Sequence, residues 1–590
     1  MKASISQIAK ILAPMVLVFS LAAAANAAVP GIGGTTFNLT AQQAYLNQPD
    51  GEAVYSWGYG CLNPTGVTFL PAEISGASCP MMQVPGPTLI VTEGQSIIIN
   101  LTNQLPAAAG NTSILFPGFN VTTSCSGTTP AGVQGLLTCE AAPGATVQYT
   151  FTASAAGTHP YYSGTQGDLQ IEMGLYGAIV VLPASVPANC TTGYHAANLT
   201  AKAFWGESDF RLPNLSGQRG AAYDHPGSCY DREYLFQWAE MDQRIHRQAE
   251  AQVKATVASG VCPTTLPASS INPACSLSVQ TEPYHPAYFL INGRSMPDLM
   301  DPNYASEYPH QPYNGNPHMH PGELTLVRTI GQGRWQHPFH EHANHVRILS
   351  RDGNLILSSN PTQISYNTPG GTAASGPGLA GILMFNTDTT PGESFDGIFY
   401  FTGRGLNWDP YGHHPGDTND PLGSLGCTPD ANGYNTAGTA VTALNFFEWC
   451  QDHNKPVQVA PFGDVAAGGP ATLPDPNVFT NGAWYGGTPY LGPDASLRGA
   501  MPACVGNPYG TPTGNPTTPS GAPGTPAVNT ANCTTLNPAN VQLNPANERG
   551  WAFMWHSHNE REITTNNVFP GGMLMMMLVD TREFVIDETL

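Results

Sequence analysis

Hydrophobic positions along the chain fall into short alternating or β-branched runs separated by Gly and Pro. Between residues 35 and 183 these include Thr88-Leu89-Ile90-Val91, Ser96-Ile97-Ile98-Ile99-Asn100-Leu101 and Gly177-Ala178-Ile179-Val180-Val181-Leu182. Runs of this length and period predict strands, and their number predicts one β-sandwich of ordinary size. A further strand is expected at Glu233-Tyr234-Leu235-Phe236-Gln237-Trp238, followed by a short helix over Asp242 to Ala258, where Ala, Gln, Glu and Lys favour helix. Strand signals return at Tyr288-Phe289-Leu290-Ile291, Glu323-Leu324-Thr325-Leu326-Val327, Val346-Arg347-Ile348-Leu349 and Ile398-Phe399-Tyr400-Phe401, and then only at Trp551. The intervening 403–545 is rich in Gly, Pro, Asn and Thr, most strongly from Gly506 to Thr530. Such composition cannot bury a core of its own, so it reads as an insertion of loops pinned by cysteines.

Composition narrows this to an all-β, loop-rich protein, because 64 Gly and 54 Pro accompany only 10% charged residues. The N-terminus carries Lys2 and Lys10, an apolar run from Ile11 to Ala25 and the small residues Ala25-Asn26-Ala27. Together these read as a secretory signal over residues 1–27 and predict export to the periplasm or the extracellular space. No later run approaches the roughly 18 to 20 apolar residues of a membrane span. A formal charge of −21 argues against nucleic acid or anionic lipid as partner.

Twelve cysteines in an exported chain predict six sequential disulfides: Cys61/Cys79, Cys125/Cys139, Cys190/Cys229, Cys262/Cys275, Cys427/Cys450 and Cys504/Cys533. The alternative, a thiolate metal site, lacks any Cys-x-x-Cys spacing.

The candidate chemistry lies in His337-Pro338-Phe339-His340-Glu341-His342 and Trp555-His556-Ser557-His558. In a strand, residues i and i+2 project to one face, so each His-x-His aims two imidazoles at one point. If they share one or two ions at bonds near 2 Å, their nitrogens must converge to roughly 3 to 5 Å. Neutral imidazole suits divalent transition metals, with copper favoured. The expected ligands are therefore His340, His342, His556 and His558, with His337 a weaker candidate. Glu341, Asn559, Glu560 and Glu562 are candidates to orient the imidazoles from behind, each competing with the plainer reading of a solvated rim residue. His318 and His320, on a Pro-flanked loop, are lesser candidates. Met573-Leu574-Met575-Met576-Met577 offers thioethers to Cu(I), although alternating methionines in a last strand are more often core. His345 supports rather than binds, and His413-His414 have no assignable role.

Val84-Pro85-Gly86-Pro87-Thr88-Leu89, Thr112-Ser113-Ile114, Gly157-Thr158 through Met173-Gly174-Leu175-Tyr176-Gly177-Ala178, both histidine motifs, and Gly572-Met573 resemble the multicopper oxidases. The resemblance implies tandem cupredoxin-like Greek-key sandwiches, a blue copper that takes electrons from substrate, and a three-copper cluster held by four His-x-His pairs. It places His340, His342, His556 and His558 on cluster positions. The two motifs expected in the first sandwich read instead Leu115-Phe116-Pro117-Gly118 and Tyr161-Tyr162-Ser163-Gly164, with no histidine, although Tyr162 offers a phenol oxygen. The blue site loses its cysteine to Ser557 and a histidine to Glu562, leaving His337 as remnant. One or two copper ions are expected rather than four.

The expected organisation is a signal at 1–27, a first cupredoxin-like sandwich at 28–190 without copper ligands, a connecting segment at 191–282, a second sandwich assembled from 283–402 and 546–590, and the insertion at 403–545. Three functions compete: a copper-dependent oxidoreductase without a blue site, a non-catalytic copper-binding cupredoxin for sequestration, and a structural surface protein reusing the fold. The metal ion is the one expected partner; the substrate is not legible.

Overall fold

The computed structural model describes residues 29–74, 76–125, 132–267, 270–358, 378–401, 427–430, 433–436, 445–451 and 551–580, with short strand stretches between 483 and 541 and single positions after 580. The expected signal segment, His413-His414, Cys533 and most of 403–545 lie outside the described residues.

The chain is all-β, built as tandem cupredoxin-like sandwiches. In the first, one five-stranded sheet runs in the order Gly157–Tyr162, Tyr176–Leu182, Leu89–Thr92, Gly31–Gly33, Thr68–Leu70. It faces a second sheet ordered Ala53–Cys61, Thr36–Asn47, Ser96–Asn103, Thr146–Thr152, Thr122–Ser124. Their shared core holds Trp57, Tyr59, Ile99, Leu101, Tyr149, Phe151 and Val181. The alternation in Ser96–Asn103 puts Ile97, Ile99 and Leu101 inside and leaves Ser96, Ile98 and Asn100 outermost, as expected of a strand with one wet face.

The second sandwich pairs a sheet containing Tyr288–Ile291, Arg232–Met241, Thr325–Gly331, Ser394–Phe399 and Val346–Arg351 with one ordered His318–Met319, Leu574–Val579, Trp551–Ser557, His337–Glu341, Asn386–Thr389. The two histidine strands are thus direct neighbours despite their distance in sequence. Arg232–Met241, expected in a connecting segment, lies instead within the second sandwich, parallel to Thr325–Gly331 and antiparallel to Tyr288–Ile291. The reason is burial on both faces. Tyr234, Phe236 and Trp238 fill the sandwich core, while Leu235 packs outward with Ile330 against Ile90, Val180 and Leu182 of the first sandwich. The unbroken burial of Gly177–Leu182 and Arg232–Met241 has this one cause. The helix Gln243–Ala258 starts at Asp242, whose carboxylate accepts the Arg244 N–H at 2.9 Å, a standard N-cap. A second helix, Gly193–Trp205, precedes it.

Polar contacts lock the two sandwiches. Thr158 donates its hydroxyl to Asp396 at 2.6 Å, Arg328 pairs with Glu233 at 2.9 Å and reaches Thr158 at 3.2 Å, and Gln332 donates to the Gly177 carbonyl at 2.9 Å. All these groups are buried, where a hydrogen-bonded charge is held far more firmly than at the surface. Five disulfides join Cys61–Cys79, Cys125–Cys139, Cys190–Cys229, Cys262–Cys275 and Cys427–Cys450; the expected Cys504/Cys533 pair lies outside the described residues. Among the described residues no helix is long and apolar enough to cross a membrane.

Candidate metal centre

His340 stands directly opposite His556 in the antiparallel pair formed by His337–Glu341 and Trp551–Ser557. Opposite residues share a face, and strand alternation turns the others inward. Phe339 packs on Trp238 and Trp555, with ring centroids 4.7 and 5.9 Å away. The aromatic core therefore fixes the strand, and the strand turns the imidazoles to the outer face of the sheet.

There His340, His342 and His556 each bring a ring nitrogen within 4.8 Å of the others. The Nε2 atoms of His556 and His342 are 3.2 Å apart. His558 is near, with its ring centroid 4.9 Å from His340 and 5.7 Å from His556, but it is exposed and lies outside the tight trio. The Nδ1 of His340 lies 2.6 Å from the Phe385 carbonyl, and that of His556 lies 2.6 Å from the Ser557 carbonyl. A carbonyl only accepts, so each Nδ1 carries the proton and each Nε2 is left with a lone pair. Burial, aided by the neighbouring His342, lowers both imidazoles to about 4, so they are neutral at pH 7. Three imidazole nitrogens converging within 4.8 Å fit a copper ion in both donor type and spacing.

Orientation from behind comes from these backbone carbonyls and not from the expected side chains. Glu341 points into the sandwich core, where burial drives its carboxyl well above the usual range and Thr387 donates to it at 3.3 Å. Asn559 donates to Glu562 at 2.8 Å, and Glu560 is exposed.

The structure does not bring His337 to the trio. It lies on the inner side, fully buried, with Nδ1 2.8 Å from Glu562 and Nε2 2.9 Å from Glu240. Burial opposes its charge, but the two carboxylates outweigh burial and raise it to about 9. It is an imidazolium with both nitrogens used, so no lone pair remains for a metal. Ser557 donates its hydroxyl to the same Glu562. Where the resemblance puts a blue copper, this chain has Glu240, His337, Glu562 and Ser557 satisfying one another. Sequence reading missed Glu240, which no local motif marks.

His318 and His320 also lie apart from the trio. His318 Nε2 is 2.7 Å from Asp580, and His320 is 2.5 Å from Glu207 and 2.7 Å from the Asp580 carbonyl. Glu207, His320 and Glu323 have ligand-like spacing. However, Arg232 already bridges Glu207, Glu323 and Glu588 there. That guanidinium supplies the cation the carboxylates need. Met573, Met575 and Met577 are core residues. His345 stacks edge-on to Phe385, 5.1 Å between centroids.

In the first sandwich the positions without histidine are filled by packing. Phe116 and Tyr161 belong to its core, and a Cβ at Gly164 would lie 2.8 Å from Leu115 Cγ. Tyr162 is half-buried and packs beside Met82 and Tyr176.

Residues 81–185 match the family described as multicopper oxidase. Over about the same share of the chain it is 34% identical across 99 residues to an L-ascorbate oxidase of Brassica rapa subsp. pekinensis, covering 17% of this chain and 16% of that protein. It is 37% identical across 100 residues to Laccase-3 of Botryotinia fuckeliana, covering 16% and 20%. These matches therefore span a fifth or less of the relatives' length. A blue copper oxidase from Nitrosomonas europaea aligns over 92% of this chain and 85% of its own at 12% identity, with a TM-score of 0.39, too loose a likeness to carry an argument. The family match lies within the first sandwich, whose residues 81–185 are similar to multicopper oxidases.

Proposed function

We propose that this is an exported copper protein that binds one or two copper ions through His340, His342 and His556, with His558 completing the set, and works as a copper-dependent oxidoreductase without a blue site. The observation that carries the reading is the convergence of three imidazoles, with the Nδ1 atoms of His340 and His556 each anchored by a carbonyl. The absence of a blue site rests on Ser557 and on the imidazolium of His337, because blue copper requires a thiolate and two free imidazoles. Export rests on residues 1–27 and on the disulfides. Copper bound here would supply one-electron chemistry; the protein's share is to hold the ion and shape its approach on the outer face of the sheet.

A second reading, copper sequestration without turnover, is favoured by one specific observation. Glu240 and Glu562 clamp His337 where electrons would enter from a substrate in the family. Copper content per chain, electron paramagnetic resonance and oxygen uptake on one Cu(II)-loaded sample separate the two. Stoichiometric copper with oxygen uptake above that of the His340→Ala/His556→Ala variant supports the oxidoreductase. Stoichiometric copper with no uptake supports sequestration. Unchanged copper content in the double variant refutes the site itself.

A further inference from the structure

The last strand divides its methionines between two faces. Met573, Met575 and Met577 are buried in the core, but Met576 is only partly buried and stands directly opposite Met554, which is 37% exposed. Met554 lies two residues before His556 and therefore shares the outer face of the sheet with it. On the other side of Met554, the His342 N–H donates to the Met554 carbonyl at 3.3 Å, so His342 continues the same row across the sheet. The row Met576, Met554, His342 thus abuts the row Leu574, His556, His340, and the His342 and His556 Nε2 atoms are 3.2 Å apart.

We propose that Met576, Met554 and His342 form a soft-cation site that takes Cu(I) and passes it to the histidine trio through the shared His342. Cβ atoms of directly opposite residues are roughly 4.5 to 5.5 Å apart, and methionine has three rotatable bonds, so both sulfurs reach one ion beside the His342 ring. Thioethers are soft donors that select Cu(I) over Cu(II) or Zn(II). Transfer needs no change of oxidation state: the ion exchanges thioether for imidazole ligands while His342 stays bound. Copper arriving as Cu(I) thus has a docking place that Cu(II) does not use. The hand-over half of the proposal rests on the trio being a copper site; the thioether half does not.

The test uses the full chain with Ag(I), a redox-inert soft cation, and methionines labelled with 13C at the methyl group. One equivalent of Ag(I) is expected to shift the methyl resonances of Met554 and Met576 and no others. Met554→Leu/Met576→Leu, which keeps volume and apolarity, is expected to lower Ag(I) affinity at least tenfold in chelator competition while Cu(II) content holds. His340→Ala/His556→Ala is expected to do the reverse. Methyl shifts confined to other methionines, or a loss of Ag(I) affinity below tenfold in the leucine variant, would overturn the thioether site. Retained Cu(II) in the alanine variant would instead overturn the trio, and with it the hand-over.

Discussion

Replacing His337 by Gln removes a buried cation from between two carboxylates and leaves Glu240 and Glu562 facing an uncharged amide. His337 is at about 9 in the folded chain against 6.5 for an ordinary histidine. At roughly 1.36 kcal/mol per unit of pKa, that difference corresponds to about 3 kcal/mol of stability. Because the folded state holds the proton more tightly, the contribution is complete below about pH 6.5, declines as pH rises, and is spent above about 9. Removing one partner of a buried ion pair usually costs about 3 to 5 kcal/mol, so the two routes agree. Urea unfolding followed by tryptophan fluorescence, with disulfides kept oxidised, measures the gap between wild type and His337→Gln at each pH. The gap is expected to be about 3 to 5 kcal/mol at pH 6 and to shrink by about 3 kcal/mol by pH 9.5. Groups common to both proteins cancel in the difference. A gap that stays constant from pH 6 to 9.5 would refute the imidazolium, and a stable His337→Gln at pH 6 would refute the clamp.

Copper-loaded protein is expected to show no intense absorption near about 600 nm, and Ser557→Cys alone to add none of blue strength, since both His337 nitrogens stay committed to carboxylates; visible and paramagnetic spectra check both. Thr158→Val deletes a hydroxyl donor to buried Asp396 at the contact between sandwiches, and should lower stability by about 1.5 to 3 kcal/mol in urea unfolding. Arg232→Met leaves Glu207, Glu323 and Glu588 buried without their common cation, and should cost at least about 3 to 5 kcal/mol, measured in the same way.

The strands and the histidine pairs were legible because both are written in local period. Alternation in Ser96–Asn103 and the i, i+2 spacing of His340/His342 and His556/His558 need no knowledge of what lies across the sheet. Arg232–Met241 was legible as a strand but not as part of the second sandwich. Arg232, Glu233, Gln237 and Glu240 interrupt its apolar residues, so the sequence does not mark a strand that is buried on both faces. His337 was legible as a histidine and misleading as a ligand. Its fate depends on Glu240, which comes from a strand on the opposite sheet and carries no motif. The orienting groups were missed for a similar reason, since the carbonyls of Phe385 and Ser557 belong to the backbone and have no signature in side-chain identity.

Strand alternation also separates the two faces of the histidine strand. On Trp551–Ser557, His556 faces outward and Ser557 inward, so a change at the inner position alters the sandwich core without redirecting the outer imidazoles. The inner position still had to be electrically consistent. A copper–thiolate unit there would bring its own cation, and the carboxylates of Glu240 and Glu562 would be untenable in a dry core without one. His337, held as an imidazolium, provides that charge, the Ser557 hydroxyl donates to the same Oε2 of Glu562, and Asn559 donates to its Oε1. The inner face is therefore closed as a hydrogen-bonded salt cluster. The outer face instead gathers the ring nitrogens of His340, His342 and His556 within 4.8 Å of one another, so the two faces of one strand pair carry opposite arrangements of imidazole.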